Sequence, residues 1–212
     1  NAREQWQAAN RPRSTIAEAY RAARTNLSYA IDLGHDRRLV LVTSPGPGEG
    51  KTTTTANLAV VFGLAGHRVC VVDTDLRRPT IHKVFGIDNA KGLTTLLLAR
   101  EPDIDRTIVR SLYTNVTVLP SGPLPPNPSE LLGSARMQEI LDGLRERFDV
   151  VLSMGLVEHF PDTVAAIRAC AGFVKPGGLV ITFVPNMTGI PGFGQRWLDR
   201  KVYEKHVPLD RE

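Results

Sequence analysis

Residues 43–55, TSPGPGEGKTTTT, join a short β-rich run to a helical one, and this junction limits what the chain can become. Glycines let the backbone turn so that several N–H groups face one anion. The helix N-terminus that follows adds the positive end of its dipole. Lys51 is placed to reach β/γ-phosphates and Thr52 to ligate Mg²⁺. The expected ligand-binding set is Gly46, Gly48, Glu49, Gly50, Lys51, Thr52 and Thr53. The strict phosphate-loop pattern wants a glycine five places before Gly50, where this chain has Pro45. A rival reading takes Gly46, Gly48 and Gly50 as G-x-G-x-G, with Asp73 as the ribose-binding acid of a dinucleotide fold. Lys51 and Thr52 favour a triphosphate instead, because a dinucleotide loop needs no lysine aimed at terminal phosphates. The bland alternative is a glycine-rich turn without a ligand.

The rest of the chain supplies a frame for such a loop. Residues 14–30 have helical periodicity, RRLVLVTS (37–44) reads as a buried strand, and KTTTTANLAVVFGLAG reads as a helix ending at Gly66. HRVCVVDTD, TNVTVLPSG, DVVLSM and LVITFVP read as further strands. GLTTLLLA, the run from Glu130 to Phe148, and DTVAAIRACAGFV read as helices, with PLPPNPSE as a proline-rich loop. Alternating strands and helices imply an α/β fold, a mostly parallel sheet in three α/β/α layers. At 212 residues, 42% hydrophobic and 23% charged, the chain suits one globular domain. No apolar run approaches the roughly 18–20 residues of a membrane span. Asn1 at the start, rather than Met, reads as a piece of something longer. Cys70 and Cys170 lack metal-ligand spacing and read as buried thiols in a reducing compartment, so the expected location is cytoplasmic. The net charge of +4 suits anionic ligands or a membrane surface. Scattered basic residues without interleaved aromatics make nucleic acid an unexpected partner.

VVDTDLRRP (71–79) places Asp73 and Asp75 just past a strand, with Arg77 and Arg78 following. Ligands of parallel sheets bind outside the carboxyl ends of strands. Both carboxylates are therefore candidates to face the loop's magnesium, or one to accept a proton from an attacking hydroxyl. A capped turn with a surface ion pair is the alternative.

From about residue 14 to 148 the chain resembles the catalytic domain of the bacterial tyrosine kinases (BY-kinases) of capsule and exopolysaccharide export. The resemblance rests on EAYRAARTNL, TSPGPGEGKTTTTANLA, VVDTDLRRP and LPSGPLPPNPSELLGS. It implies a P-loop NTPase-like fold and an ATP- and Mg²⁺-dependent protein-tyrosine autokinase. It also implies that Pro45 is tolerable, and that Lys51 and Thr52 belong to the Walker A motif. Asp73, Asp75 and Arg77 would belong to a second acidic motif, with Lys51, Asp73 and Asp75 catalytic, Thr52 and Asp75 on the metal, and Arg77 on the nucleotide. Glu18, Arg21 and Arg24 would form an E-x-x-R-x-x-R motif for homo-oligomers, and their spacing puts them on one helix face. A membrane-bound activator of polysaccharide export, and a place at the inner face of the plasma membrane, follow from the same resemblance.

The kinase pattern then breaks. That family follows FDVV with two apolar residues and Asp-Thr-Pro-Pro, its Walker B motif, and ends in a tyrosine cluster. Here Leu152, Ser153, Met154, Gly155 and Leu156 follow, and only Tyr203 lies in the tail. FDVVLSMGLVEHFPD, VKPGGLVITFVPN and QRWLDRKVYEKHVPLD resemble the C-terminal half of a class I S-adenosylmethionine-dependent methyltransferase. The expected organisation is a loose segment 1–13, a P-loop kinase-like part 14–148, and a Rossmann-like, methyltransferase-like part 149–212 completing the same sheet. In that second part Glu158, His159 and Asp162 read as a metal or acid/base cluster, as a pocket lining by Glu158 and His159 in the methyltransferase reading, or as a polar helix start. Three functions stay open: an ATP-binding kinase impaired by the missing Walker B aspartate, a methyltransferase, and a non-catalytic or engineered chimera joined near residues 148–151.

Overall fold

A computed structural model of the chain describes residues 6–31, 38–43, 50–154 and 179–182. Among them the strands are β1 (Arg38–Thr43), β2 (Val69–Asp73), β3 (Val109–Arg110), β4 (Val116–Leu119), β5 (Val150–Met154) and β6 (Leu179–Thr182). They form one sheet in the order β3-β4-β2-β5-β1-β6. All neighbouring pairs are parallel except β3 with β4. The helices are α1 (Gln7–Asn10), α2 (Thr15–Ile31), α3 (Lys51–Leu64), α4 (Ile81–Phe85), α5 (Leu93–Leu98), α6 (Pro128–Leu132) and α7 (Ala135–Arg147). The α/β class with a mostly parallel, P-loop NTPase-like sheet is as the sequence implies.

Strands covered on both faces read as unbroken apolar runs, since alternate residues feed two different cores. Val40, Val42, Val71 and Leu152 pack with Ala59, Phe62 and Phe85 on one face. Leu39, Cys70, Val72 and Val151 pack with Leu96, Ile140 and Leu144 on the other. Helix α3 touches β1, β2, β4 and β5 on its inner side and α1, α2 and α4 elsewhere. That position explains why Ala56 to Gly63 is buried on every side and shows no polar stripe. At Gly63 the helix backbone comes so close to the Thr114 carbonyl that a Cβ would overlap it.

Several elements depart from the sequence expectation for local reasons. The segment expected to be loose contains α1, and Trp6 before it is 5% exposed. Trp6 stacks edge-on against Phe85 at 4.9 Å and lies 4.3 Å from the Tyr113 ring. The Ala8 amide donates to Asn57 Oδ1 of α3 at 2.9 Å, which ties this segment to the core. The single helix expected from Glu130 is two, because Ser134 interrupts it and caps α7 by accepting from the Met137 amide. α4 and β3 are too short for periodicity to reveal. The expected helix DTVAAIRACAGFV and turn KPGG, with Glu158, His159, Asp162, Cys170 and Tyr203, lie outside the described residues.

Replacing Trp6 by Ala removes an aromatic cluster and a core contact together. The expected loss is about 3–5 kcal/mol of unfolding free energy. Urea denaturation followed by far-UV circular dichroism checks it; an unchanged midpoint would mean that the segment does not belong to the core.

Candidate functional site

The register of β5 arranges the carboxyl edge of the sheet. Met154 pairs with Val42 of β1 on one side and with Asp73 of β2 on the other. The strand leading to the glycine loop and the strand ending in the acidic motif are thus held one strand apart. Gly46, Gly48 and Glu49 lie outside the described residues. Gly50 has φ 88°, a left-handed conformation that glycine adopts without the strain of a Cβ. Lys51, 8% exposed, is the first residue of α3, followed by the half-buried Thr52 and Thr53. The helix bond from the Thr54 amide to the Gly50 carbonyl, 2.8 Å, fixes this first turn. The turn is the positive end of a fourteen-residue helix.

Asp73 is fully buried. Its Oδ2 accepts from the amides of Thr80 (3.2 Å) and Ile81 (3.1 Å), and its Oδ1 from the amide of Asp75 (3.2 Å). It therefore supplies from β2 the cap that α4 lacks locally, since the Thr80 side chain makes no cap bond. The Thr80 hydroxyl instead lies 2.8 Å from the Thr52 hydroxyl. Asp75 Oδ1 accepts from the amides of Arg77 (3.2 Å) and Arg78 (2.8 Å), which sets the turn after β2. The structure thus links Thr52, Thr80, Asp73 and Asp75 in one hydrogen-bonded series. Arg77 turns away towards α6, with Nη2 3.5 Å from Ser129 Oγ.

Burial pushes the Asp73 carboxyl up to about 7, and the Asp75 charge adds to this, while the amides of Ile81, Asp75 and Thr80 pull the other way. The position occupied by Met154 is 1% exposed and belongs to the core that contains Val42 and Leu152. Its carbonyl accepts from the Thr74 hydroxyl at 2.6 Å, and that hydroxyl also lies 3.1 Å from Ser153 Oγ. Sequence reasoning missed Thr74, Thr80 and Ser153. None of the three carried a signal in the sequence, because α4 is too short to be recognised and the contacts join elements remote in sequence.

The donor set here is hard oxygen: the Thr52 hydroxyl and the Asp75 and Asp73 carboxylates. That chemistry fits Mg²⁺, which binds one or two carboxylates plus phosphate and water. Among the described residues no three His, Cys, Asp or Glu side chains gather as a metal cage, and such an ion needs none. A thioether at Met154 is a soft donor that contributes nothing to it.

Of the candidate oligomer motif, Arg21 pairs with Glu18 at 3.0 Å and also donates to the Pro12 carbonyl. Arg24 Nη1 donates to the Val61 carbonyl of α3 at 3.3 Å. Arg24 is thereby drawn onto its own core, leaving Glu18 as the most outward of the three.

A carboxyl whose folded pKa is raised gives a stability that falls as pH climbs. Between the unfolded value, about 4, and about 7 the folded state binds more protons than the unfolded one. In the metal- and nucleotide-free protein, stability should therefore fall by up to roughly 4 kcal/mol from pH 4 to pH 7 on account of Asp73. Asp73→Asn, uncharged throughout, should flatten that part of the curve. Thermal melts of both proteins from pH 4 to pH 8 check this, and parallel curves would refute it.

Comparison with known proteins agrees with this geometry. The family model "CobQ/CobB/MinD/ParA nucleotide binding domain" matches residues 40–190, a span that runs through β5 and β6. The chain is 43% identical over 141 residues to tyrosine-protein kinase YwqD of Bacillus subtilis, covering 66% of this chain and 59% of YwqD. It is 34% identical over 178 residues to putative tyrosine-protein kinase CapB of Staphylococcus aureus, covering 84% of this chain and 75% of CapB. The kinase domain of Escherichia coli tyrosine kinase ETK is similar with a TM-score of 0.73 at 26% identity, covering 92% of this chain and 74% of that one. The chain thus belongs to the CobQ/CobB/MinD/ParA nucleotide-binding domain family, alongside its bacterial tyrosine kinases.

Proposed function

We propose that the chain is the ATP-binding part of a protein-tyrosine autokinase of the kind linked to exopolysaccharide synthesis and export. The observation that carries this is the junction of two elements at one sheet edge. Lys51 and Thr52 open α3, and the Thr52 hydroxyl is joined through Thr80 to Asp73. Gly46, Gly48, Glu49, Gly50, Lys51, Thr52 and Thr53 cradle the phosphates, with Arg77 at the nucleotide's margin. Thr52 and Asp75 hold Mg²⁺, which when bound neutralises phosphate charge. The Lys51 ammonium offsets charge on the terminal phosphates. Asp73 or Asp75 takes the proton of an attacking tyrosine hydroxyl.

Relatives named as tyrosine-protein kinases support this reading, and the chain spans 59% of one and 75% of another. On the same reading, copies assemble through Glu18, Arg21 and Arg24, and a membrane-bound activator of polysaccharide export is the partner. The chain then works at the inner face of the plasma membrane. Among the described residues no helix is long and apolar enough to cross a membrane.

Met154 stands where the Walker B aspartate is expected, and turnover is correspondingly slow. Losing one preorganised electrostatic partner costs about 10²–10³ in rate. Titration calorimetry should show Mg-ATP binding that ADP competes for and Lys51→Ala abolishes. Binding of S-adenosylhomocysteine at micromolar level, with ATP inert, would replace the proposal by a methyltransferase. Neither ligand shifting the melting temperature would make it a non-catalytic module.

Met154→Asp should raise autophosphorylation by about 10²–10³. The same change places a second carboxylate one strand spacing, about 4.8 Å, from Asp73. It should lower the melting temperature without Mg²⁺ and recover part of the loss with Mg-ADP. A turnover assay with paired melts checks both; unchanged turnover in a folded variant would refute the assignment of that position.

A further inference from the structure

A hydroxyl that ligates a metal directs a lone pair at the cation, and its proton needs an acceptor elsewhere. Coordination makes that O–H a stronger donor, so the acceptor matters more in the metal-bound state than in the free one. On the proposed reading Thr52 is such a ligand. The strand position that would offer a carboxylate nearby holds Met154, whose thioether is a weak acceptor. Among the described residues, Thr80 Oγ1 is set against the Thr52 hydroxyl, at 2.8 Å.

Thr80 is held for this task by its surroundings. Its amide donates to Asp73 Oδ2 at 3.2 Å, and the next amide donates to the same oxygen at 3.1 Å. Pro79 before it restricts the backbone on that side. Its hydroxyl makes no cap bond to its own helix, the common use of a threonine at this place. A residue in the cap position has therefore been turned across to the first turn of α3.

We infer that Thr80 is a positioning residue for the metal: its hydroxyl accepts the Thr52 proton, leaving the Thr52 lone pair aimed at Mg²⁺, where a Walker B carboxylate is missing. The inference rests on the proposed nucleotide site, and it adds a residue from the acidic strand's loop to the metal's support. Thr80 reaches the metal only through Thr52. Its loss should weaken the metal's contribution and spare the metal-independent contacts of the phosphates with Lys51 and the helix amides.

The test is ADP binding by calorimetry across a series of Mg²⁺ concentrations, using the full chain. Wild-type protein should bind ADP more tightly with Mg²⁺ than in EDTA. Thr80→Val keeps the backbone amide that Asp73 accepts from and removes only the hydroxyl. It should raise the Mg²⁺ concentration for half-maximal tightening about tenfold, while affinity in EDTA stays within about twofold. Thr80→Ser should restore the wild-type Mg²⁺ dependence. In a Thr52→Ala background, Thr80→Val should have no further effect, since the two act as one unit. Urea melts of each variant separate folding from binding, and Thr80→Ala stands in if the valine variant is unfolded. Equal Mg²⁺ dependence in wild type and Thr80→Val, or equal defects in the valine and serine variants, would overturn the role of Thr80 while leaving the nucleotide site standing. Absence of any Mg²⁺-dependent ADP binding in the wild type would overturn the nucleotide site itself, and this inference with it.

Discussion

Strand β5 has two neighbours that the chain makes long before it, and the arrangement of the site follows from that. β1 ends at the glycine loop and β2 ends at Asp73, yet the two do not pair with each other. β5 lies between them and sets both registers, so that Val42, Met154 and Asp73 reach the edge together. The start of β5 is tied down as firmly as its end. Asp149 accepts from the Arg68 amide at 2.9 Å and its guanidinium at 2.7 Å, and the Asp149 amide donates to the Arg68 carbonyl at 2.8 Å. The Arg68 guanidinium holds the Asp149 carboxyl below its ordinary value. This exposed pair adds little energy. Its use is geometric: a shift of one residue along β5 would exchange Met154 for Ser153 on the face that meets α3.

Two opposite solutions to buried charge lie side by side at that edge. Asp73 keeps its carboxyl inside by gathering three amides around it, and burial still raises its pKa. At Met154 the chain avoids the problem, since a thioether extends the apolar layer of Val42 and Leu152 up to the rim. A second acid there would add like-charge repulsion to the desolvation that Asp73 already bears. The result is a firmer core and a sheet edge with fewer charges around it. Hydroxyls then carry more of the polar work: Thr52 with Thr80, and Thr74 with Ser153.

Strands β1, β2 and β5 and helix α3, which opens at Lys51, were legible because each is a long apolar run or starts at a motif built from neighbours in sequence. Asp73 and Asp75 were legible as candidates, but not the division between them. Only the fold shows that both are buried, that Asp73 caps α4 and that Asp75 shapes the turn after β2. Trp6 was misread as part of a loose segment because its partners, Phe85 and Tyr113, are remote in sequence. The break at Ser134 was hidden by an apolar periodicity that continues across it. Thr80 escaped notice because its hydroxyl serves a helix other than its own, and no periodic or spacing argument reaches that far.

The late position of β5 also governs how the protein can be made. Arg38 and Val69 both wait for Val150. Until that segment leaves the ribosome, β2 has β4 on one side only and β1 has neither of its neighbours, β5 or β6, so both present valine-rich edges with unmatched backbone groups, the kind of surface that recruits other chains. Closing these pairings late means ordering a long stretch of chain before the reward is collected, which slows assembly relative to a fold of local contacts. A nascent chain halted before Val150 holds both strands whose ends meet at the candidate site and has nothing to bring them into register.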